Sequence, residues 1–371
     1  MSEIRIEELT ARYDASPVLT SVDLVVPSGS LTCVLGESGC GKTTLLRVIA
    51  GFTPARSGRV RIGDRVVDDG TTRVAPEKRR VGYVPQEGAL FPHLTVADNI
   101  GFALARRSGA DRRARAETVA EMLELVQMPD YAGRYPHELS GGQQQRISIA
   151  RALAKQPEVV LLDEPFASLD ATLRGHFREE IREVLRTAGA TAILVTHDRS
   201  EALSLGDHVA VINAGRVHQT ASPTVLYTQP ADAHVASFVG DANLLPCTIT
   251  DGRAQTALGP LDVHPACPIG DRSTGTAVVR PEHVHVHAVG EVDPARHPGA
   301  IGVLTRAEYY GHDARLEVRL DAAGADGTPP TVIARIAAQT PPEEGTAVVV
   351  CVDGPVWILA DPDDRADPAP A

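Results

Sequence analysis

An apolar run, Leu31-Thr32-Cys33-Val34-Leu35, leads directly into Gly36-Glu37-Ser38-Gly39-Cys40-Gly41-Lys42-Thr43, and a helical pattern from Lys42 to Ala50 follows. No other feature constrains the fold as strongly. The octapeptide has the GxxxxGK[ST] spacing of a phosphate-binding loop, in which glycines let backbone N–H groups fold around phosphate oxygens. A strand before the loop and a helix after it are the context that motif requires, because the helix N-terminus adds positive partial charge. The expectation is a nucleotide held by Gly36 through Thr44. Lys42 would neutralise β/γ-phosphate charge, and the Thr43 hydroxyl would ligate Mg²⁺. The competing reading is a chance Gly-rich turn.

The rest of the first 240 residues fits a parallel sheet. Residues 4–13 and 19–26 alternate as antiparallel strands, and short strands are expected at 58–67 and at Val81-Gly82-Tyr83-Val84. From 95 to 155 the pattern is helical, with amphipathic spacing between Arg113 and Val126. Strands return at 159–162, 191–196 and 208–212, with a helix from about Leu169 to Thr187. Strand–helix alternation of this kind marks a parallel α/β sheet. The block 95–155 reads as a helical insertion into it.

Ligands collect beyond the carboxyl ends of parallel strands, and polar residues stand at several such ends. Val159-Val160-Leu161-Leu162 ends in Asp163-Glu164. Asp163 is placed to hold Mg²⁺, and Glu164 to orient or deprotonate an attacking water. Acidic residues that simply end a strand are the alternative. Gln86 follows the strand ending at Val84 and is a candidate to sense Mg²⁺ and water. His197 follows Thr191–Thr196 and is a candidate to contact the γ-phosphate. In one parallel sheet these strand ends converge on the edge that carries the phosphate loop.

A second Gly-rich element, Leu139-Ser140-Gly141-Gly142-Gln143-Gln144-Gln145-Arg146, lies within the helical block. Ser140 has the character of a helix N-cap, and Gly141 and Gly142 permit close backbone approach. A helix is expected from Gln143 onward. One nucleotide needs one phosphate loop, so the natural use of this second helix end is in trans, on a nucleotide bound to another copy of the chain.

The 371 residues suffice for two domains, and 43% hydrophobic content permits a sizeable core. No apolar run approaches the roughly 20 residues that span a bilayer, so a membrane role is expected through a partner. Met1-Ser2-Glu3-Ile4-Arg5 opens a strand-like pattern rather than a signal peptide. The five cysteines are widely spaced without a CxxC pair, which fits a reducing compartment. Cys40, inside the phosphate loop, is expected to be a point of oxidative or alkylating inactivation. Net charge is −12, which argues against nucleic acid as the main ligand. Residues 1–240 carry 27 basic and 29 acidic side chains, whereas 241–371 carry 9 and 19 and no lysine. That break predicts a domain boundary. Beyond it, short β-rich runs split by Gly and Pro read as a small barrel or sandwich over 241–360. Residues 361–371 read as a disordered tail. His283-Val284-His285-Val286-His287 alternates, so on a strand all three imidazoles would share one face, where two neighbours could chelate a cation of the Zn²⁺ or Ni²⁺ kind; an exposed strand face is the plainer reading.

Together the motifs resemble an ATP-binding cassette (ABC) ATPase. The resemblance covers residues 1–240, with the phosphate loop, Gln86, Leu139–Gln143, Asp163-Glu164 and His197 in order. It implies a P-loop NTPase cassette, with a parallel sheet core, an antiparallel β subdomain and a helical insertion. Ser168-Leu169-Asp170 resembles the family's D-loop, which carries signals between two sites. Tyr13 stands where the family places an aromatic that stacks on adenine; its other reading is a core tyrosine. Residues 241–371 resemble the all-β, OB-like transport-associated domain of importer ATPases, at Gly240-Asp241-Ala242-Asn243-Leu244-Leu245 and Val279-Arg280-Pro281-Glu282. Within importers, Val81 to Val96 looks most like ferric-iron uptake ATPases, with polyamine, sulfate/thiosulfate and sugar importers sharing the frame. The resemblance implies ATP and Mg²⁺ as cofactors. It also implies a head-to-tail dimer, in which each ATP lies between Gly36–Thr44 of one copy and Ser140, Gly141, Gly142 and Gln143 of the other. Permease subunits would be met through Phe91 and Leu94, unless these are core residues. A solute-binding protein would act indirectly, and the expected place is the cytoplasmic face of the membrane. A non-transport regulator with the β-rich region as docking module is the rival class, and a soluble repair or translation ATPase is another.

Overall fold

The computed structural model describes residues 2–13, 16–86, 89–104, 108–167, 171–290, 299–322, 327–337 and 342–360, without the side chains at 13, 171–173 and 176. The first part contains β1 (Ile4–Tyr13), β2 (Ser16–Val26), β3 (Leu31–Leu35), α1 (Lys42–Ala50), β4 (Ser57–Ile62), β5 (Arg65–Asp68) and β6 (Val81–Val84). It continues with α2 (Val96–Ile100), α3 (Gly109–Leu125), α4 (Gly141–Leu153), β7 (Val159–Asp163), α5 (Ala171–Thr187), β8 (Thr191–Thr196), α6 (Arg199–Leu205), β9 (His208–Asn213) and β10 (Arg216–Ala221).

Strands that read as unbroken apolar runs form the central sheet, as strands covered on both faces must. Every residue of β3, β7 and β8 is buried. The order is β10-β9-β3-β8-β7-β6, and all strands but β10 are parallel. The alternating segments form a separate antiparallel sheet, β2-β1-β4-β5. One apolar core joins the two, with Leu45, Leu46 and Ile49 of α1 packed among Ile4, Leu24, Val34 and Leu161. The block between β6 and β7 carries α2, α3 and α4. The helix expected from Arg113 begins earlier, at Gly109, because Ser108 and Asp111 form a capping box.

Among the described residues, Arg79 is the largest fully buried side chain. Its guanidinium donates to the carbonyls of Val48 (2.8 Å), Ile49 (3.0 Å) and Val74 (2.8 Å) and pairs with Asp68 at 3.1 Å. Val48 and Ile49 lie in the last turn of α1, where unpaired carbonyls give the helix its negative end. Burial lowers the Arg79 pKa, and the Asp68 carboxylate opposes that shift.

The chain divides into two compact units, 1–223 and 224–371. The boundary falls at the first residue of α7 (Pro223–Thr228), and the second unit continues with α8 (Ala233–Val239), β11 (Asn243–Thr250), β12 (Arg253–Thr256), β13 (Gly259–Asp262), β14 (Thr274–Val279) and β15 (Val284–Ala288). β16 (Ala300–Tyr309), β17 (Ala314–Leu320), β18 (Thr331–Ile336), β19 (Ala347–Val352) and β20 (Trp357–Leu359) complete it. Two five-stranded sheets result, β13-β12-β11-β14-β20 and β15-β19-β16-β17-β18, around a core of Val, Leu, Ile, Ala and Cys. The division falls after Pro223, whereas the change in charge and texture falls near 240. Arg280 accounts for the difference. It is 4% exposed and donates to the carbonyls of Tyr227, Ala236, Gly240 and Asp241, so the α7–α8 segment packs with the β-rich unit.

One expectation fails in this unit. His283 belongs to a 3₁₀ turn, Pro281–His283, because Pro281 presets that turn before β15 begins. Only His285 and His287 share the strand face, their rings 6.4 Å apart, and His285 Nε2 lies 2.9 Å from Asp353 Oδ2. Among the described residues, no three or more His, Cys, Asp or Glu side chains gather to hold a metal ion. The same residues include no helix long and apolar enough to cross a membrane.

Candidate active site

Sheet order decides which strand ends become neighbours. Parallel register sets Leu35 beside Thr196, Val195 beside Asp163, and Val84 beside Leu162. The phosphate loop after β3, His197 after β8, Asp163-Glu164 at the end of β7 and Gln86 after β6 therefore line one edge in that order.

The phosphate loop is shaped by close packing. A Cβ on Gly36 would lie 2.4 Å from the carbonyl oxygen of Ile212, which excludes any other residue. Gly41 takes φ +108° just before α1, a conformation that favours glycine. Lys42 is only 5% exposed, and its ammonium donates to the carbonyls of Gly36 (2.7 Å) and Glu37 (2.8 Å). Carbonyl dipoles thus hold the cation at the loop. Cys40 is buried, and burial raises its thiol pKa despite the nearby Lys42 charge. The thiolate is what reacts, so the expectation of ready alkylation at Cys40 does not fit its surroundings.

Thr43 Oγ1 donates to Asp163 Oδ1 at 3.1 Å, and the Tyr83 hydroxyl donates to Asp163 Oδ2 at 2.8 Å. Both oxygens of this buried carboxylate are thereby engaged. Glu164 Oε2 lies 3.2 Å from His197 Nδ1. Glu164 adopts φ +43°, and its N–H continues the β7–β8 ladder to the carbonyl of Val195 at 3.1 Å. A cavity of about 70 Å³ opens between Glu164, Arg174, Thr196 and His197, enough for water. Gln86 is exposed on the turn after β6.

The turn that carries His197 is pinned on both sides. Thr196 Oγ1 donates to Glu201 Oε2 and accepts from the N–H of Asp198 at 3.0 Å. Arg178 of α5 donates to Asp198 and Glu201, each at 3.0 Å. Tyr83, Arg178 and Glu201 escape sequence reasoning, because nothing in their spacing links them to the strand ends. An aromatic hydroxyl within the short strand β6 is the one sign of Tyr83.

Ser140 caps α4, which starts at Gly141 rather than at Gln143. Its hydroxyl accepts from the Gln143 N–H, and Gln143 Oε1 accepts from the Ser140 N–H at 2.9 Å. Gln143 Nε2 also donates to the Tyr131 hydroxyl at 3.2 Å. In the same block, the buried Asn99 side chain bonds the backbone of Phe91, Leu94 and Thr95, fixing that turn. Phe91 packs against the half-exposed Phe102, with ring centroids 4.4 Å apart and planes tilted by 35°. The Tyr13 side chain, Ser168-Leu169-Asp170 and the tail 361–371 lie outside the described residues.

Known proteins resemble this chain in sequence and in fold. Residues 19–167 match the ABC transporter family model, and residues 277–359 match that of the TOBE domain. Fe(3+) ions import ATP-binding protein FbpC 1 of Rhodococcus jostii is 43% identical over 88% of this chain and 90% of its own length. The Fe(3+) ions import ATP-binding protein FbpC of Mesorhizobium japonicum is 41% identical over 97% of this chain and 100% of its own. A sulfate/thiosulfate import ATP-binding protein, CysA 2 of Chromobacterium violaceum, is 44% identical over 85% and 84%. Among solved structures, the dimeric post-hydrolysis state of the ATP-binding cassette MJ0796 bound to ADP and Pi aligns with a TM-score of 0.51 and 28% identity. It covers 59% of this chain and 98% of that one.

Proposed function

The chain belongs to the family of ABC transporter ATP-binding proteins, and on that premise we propose that it hydrolyses ATP to drive ferric-iron import through a membrane permease. The observation that carries this reading is the convergence of Lys42, Thr43, Asp163, Glu164 and His197 on one sheet edge. The Thr43 hydroxyl and Asp163 carboxylate, with the Gln86 amide on the adjacent turn, are hard oxygen donors. Their small number suits Mg²⁺, which keeps several waters. Bound Mg²⁺ would neutralise charge on the β- and γ-phosphates.

Lys42 holds the same phosphates, and His197 contacts the γ-phosphate. Glu164 orients and deprotonates a water in the adjoining cavity, so that its oxygen attacks the γ-phosphorus and ADP leaves. The capped N-terminus of α4, Ser140 to Gln143, serves the ATP of a second copy arranged head to tail. ATP bridging the two copies favours the closed dimer, and hydrolysis removes the bridging contacts. The permease follows that motion through the surface around Phe91, Leu94 and Phe102. The protein then acts at the cytoplasmic face of the membrane, with a solute-binding protein on the far side.

The sulfate/thiosulfate relative supports a second cargo, because the permease and binding protein select the solute. Reconstitution with the permease that co-purifies with it distinguishes the two. Uptake of radiolabelled ferric iron, with no uptake of sulfate, is the expected result. Glu164→Gln is expected to bind ATP, to hydrolyse it on the order of 100-fold more slowly, and to elute as a dimer in ATP. Turnover at the wild-type rate would remove Glu164 from this role.

A further inference from the structure

Asp163 is 5% exposed and has a hydroxyl on each carboxylate oxygen, Thr43 on Oδ1 and Tyr83 on Oδ2. The first contact joins the phosphate loop to β7. The second is not needed for that and comes from the neighbouring strand. Tyr83 pairs in register with Leu161, and cross-strand partners project to the same face. Asp163 is two residues beyond Leu161, therefore on that face and about 6.6 Å further along. A phenol is long enough to span that step. Phe52 meets the Tyr83 ring edge-on, with centroids 5.5 Å apart, and touches the ring rather than the hydroxyl.

We propose that Tyr83 is a positioning residue that holds Asp163 to single-oxygen coordination and thereby sets the site's preference for Mg²⁺ over larger cations. This inference rests on the Mg²⁺–ATP reading above. A phenol that donates to an ionised carboxylate forms a strong, short bond, which occupies Oδ2 and fixes the plane of the group. Oδ1 remains beside Thr43, whose hydroxyl donates to Asp163 and keeps its lone pairs for a cation. Mg²⁺ demands near-octahedral geometry with few protein oxygens, whereas Ca²⁺ accepts more ligands and bidentate carboxylates. With Oδ2 held by Tyr83, only Oδ1, next to the Thr43 hydroxyl that would share the cation, is left to coordinate, which suits the first ion and handicaps the second. Partners of this kind, one step removed from the metal, typically change its affinity by about 10- to 100-fold when lost.

The test is binding of a fluorescent, slowly hydrolysed ATP analogue to the full chain, followed by anisotropy during separate titrations with Mg²⁺ and Ca²⁺. Tyr83→Phe removes the hydroxyl and keeps the ring. It is expected to raise the Mg²⁺ half-saturation about tenfold while leaving that for Ca²⁺ within about twofold, so the preference collapses. Phe52→Leu, which disturbs the packing but not the hydroxyl, is expected to keep the wild-type ratio. Tyr83→Met fills the same gap flexibly and stands in if the phenylalanine variant does not fold. A parallel shift for both ions, no shift, or an equal change in Phe52→Leu would overturn the proposal. If the wild-type chain itself binds the analogue without regard to either cation, the Mg²⁺ reading fails instead.

Discussion

Glu164 holds φ +43°, a left-handed conformation that costs a non-glycine residue about 1–3 kcal/mol. It persists because the N–H is tied to Val195 and the side chain faces His197. Strain of this kind clusters at functional sites, and here the strained residue lines the cavity beside β8. The cysteines show the opposite behaviour. Cys33 lies fully buried in β3, and burial pushes its thiol pKa far up, with Glu201 and Asp207 adding repulsion. Its folded-state pKa is therefore above the unfolded value of about 8.5. The stability it contributes is fully present below that pH and is lost as pH rises toward the folded pKa, by up to about 1.4 kcal/mol per pH unit. Urea midpoints measured from pH 8 to 10 are expected to fall less steeply in Cys33→Ala than in wild type. Equal slopes would assign the alkaline loss to other groups.

The helix after the phosphate loop is secured at both ends by different means. Its N-terminus is the loop itself. Its last turn is met by Arg79, whose guanidinium joins α1 to Asp68 at the end of β5 and to Val74. Arg79 also stands two residues before β6, so one side chain ties the strand leading to Gln86 to the helix that starts at Lys42. Arg79→Met leaves the Asp68 charge buried, and stability is expected to drop by about 3–5 kcal/mol. The double variant Arg79→Met/Asp68→Leu is expected to regain part of that loss, because the orphaned charge is gone. Chemical denaturation of the two variants and wild type checks both statements, and additive losses would contradict them. The elements themselves were legible beforehand, from apolar runs, alternation and cap residues. The link through Arg79 was not, because an Arg in a basic run, Lys78-Arg79-Arg80, normally signals a solvated surface.

Across the whole molecule, the proposed reading has one copy supply a phosphate loop and a capped helix end for another copy's nucleotide. Ser140→Arg places bulk and charge on that helix end while leaving Gly36–Thr44 intact. It is expected to retain ATP binding by the monomer within about threefold and to lose most hydrolysis, at least about 100-fold. Loss of binding as well would refute action in trans. The division into two compact units falls after Pro223, upstream of the change in sequence texture. Charge and composition change near 240, yet Arg280 gathers the carbonyls of Tyr227, Ala236, Gly240 and Asp241 into the second unit. By itself, the sequence determined the phosphate loop, the strand and helix periods, the Ser140 cap and the family resemblance. Each depends on residues close along the chain, whose conformational preferences and hydrogen bonds are local. Tertiary structure alone decided that β8 lies between β3 and β7, that Tyr83 reaches Asp163 across 80 residues of chain, and that Arg178 steadies the His197 turn. Those contacts depend on how buried strands are ordered and how charges inside the fold find partners, and residue spacing carries no record of either.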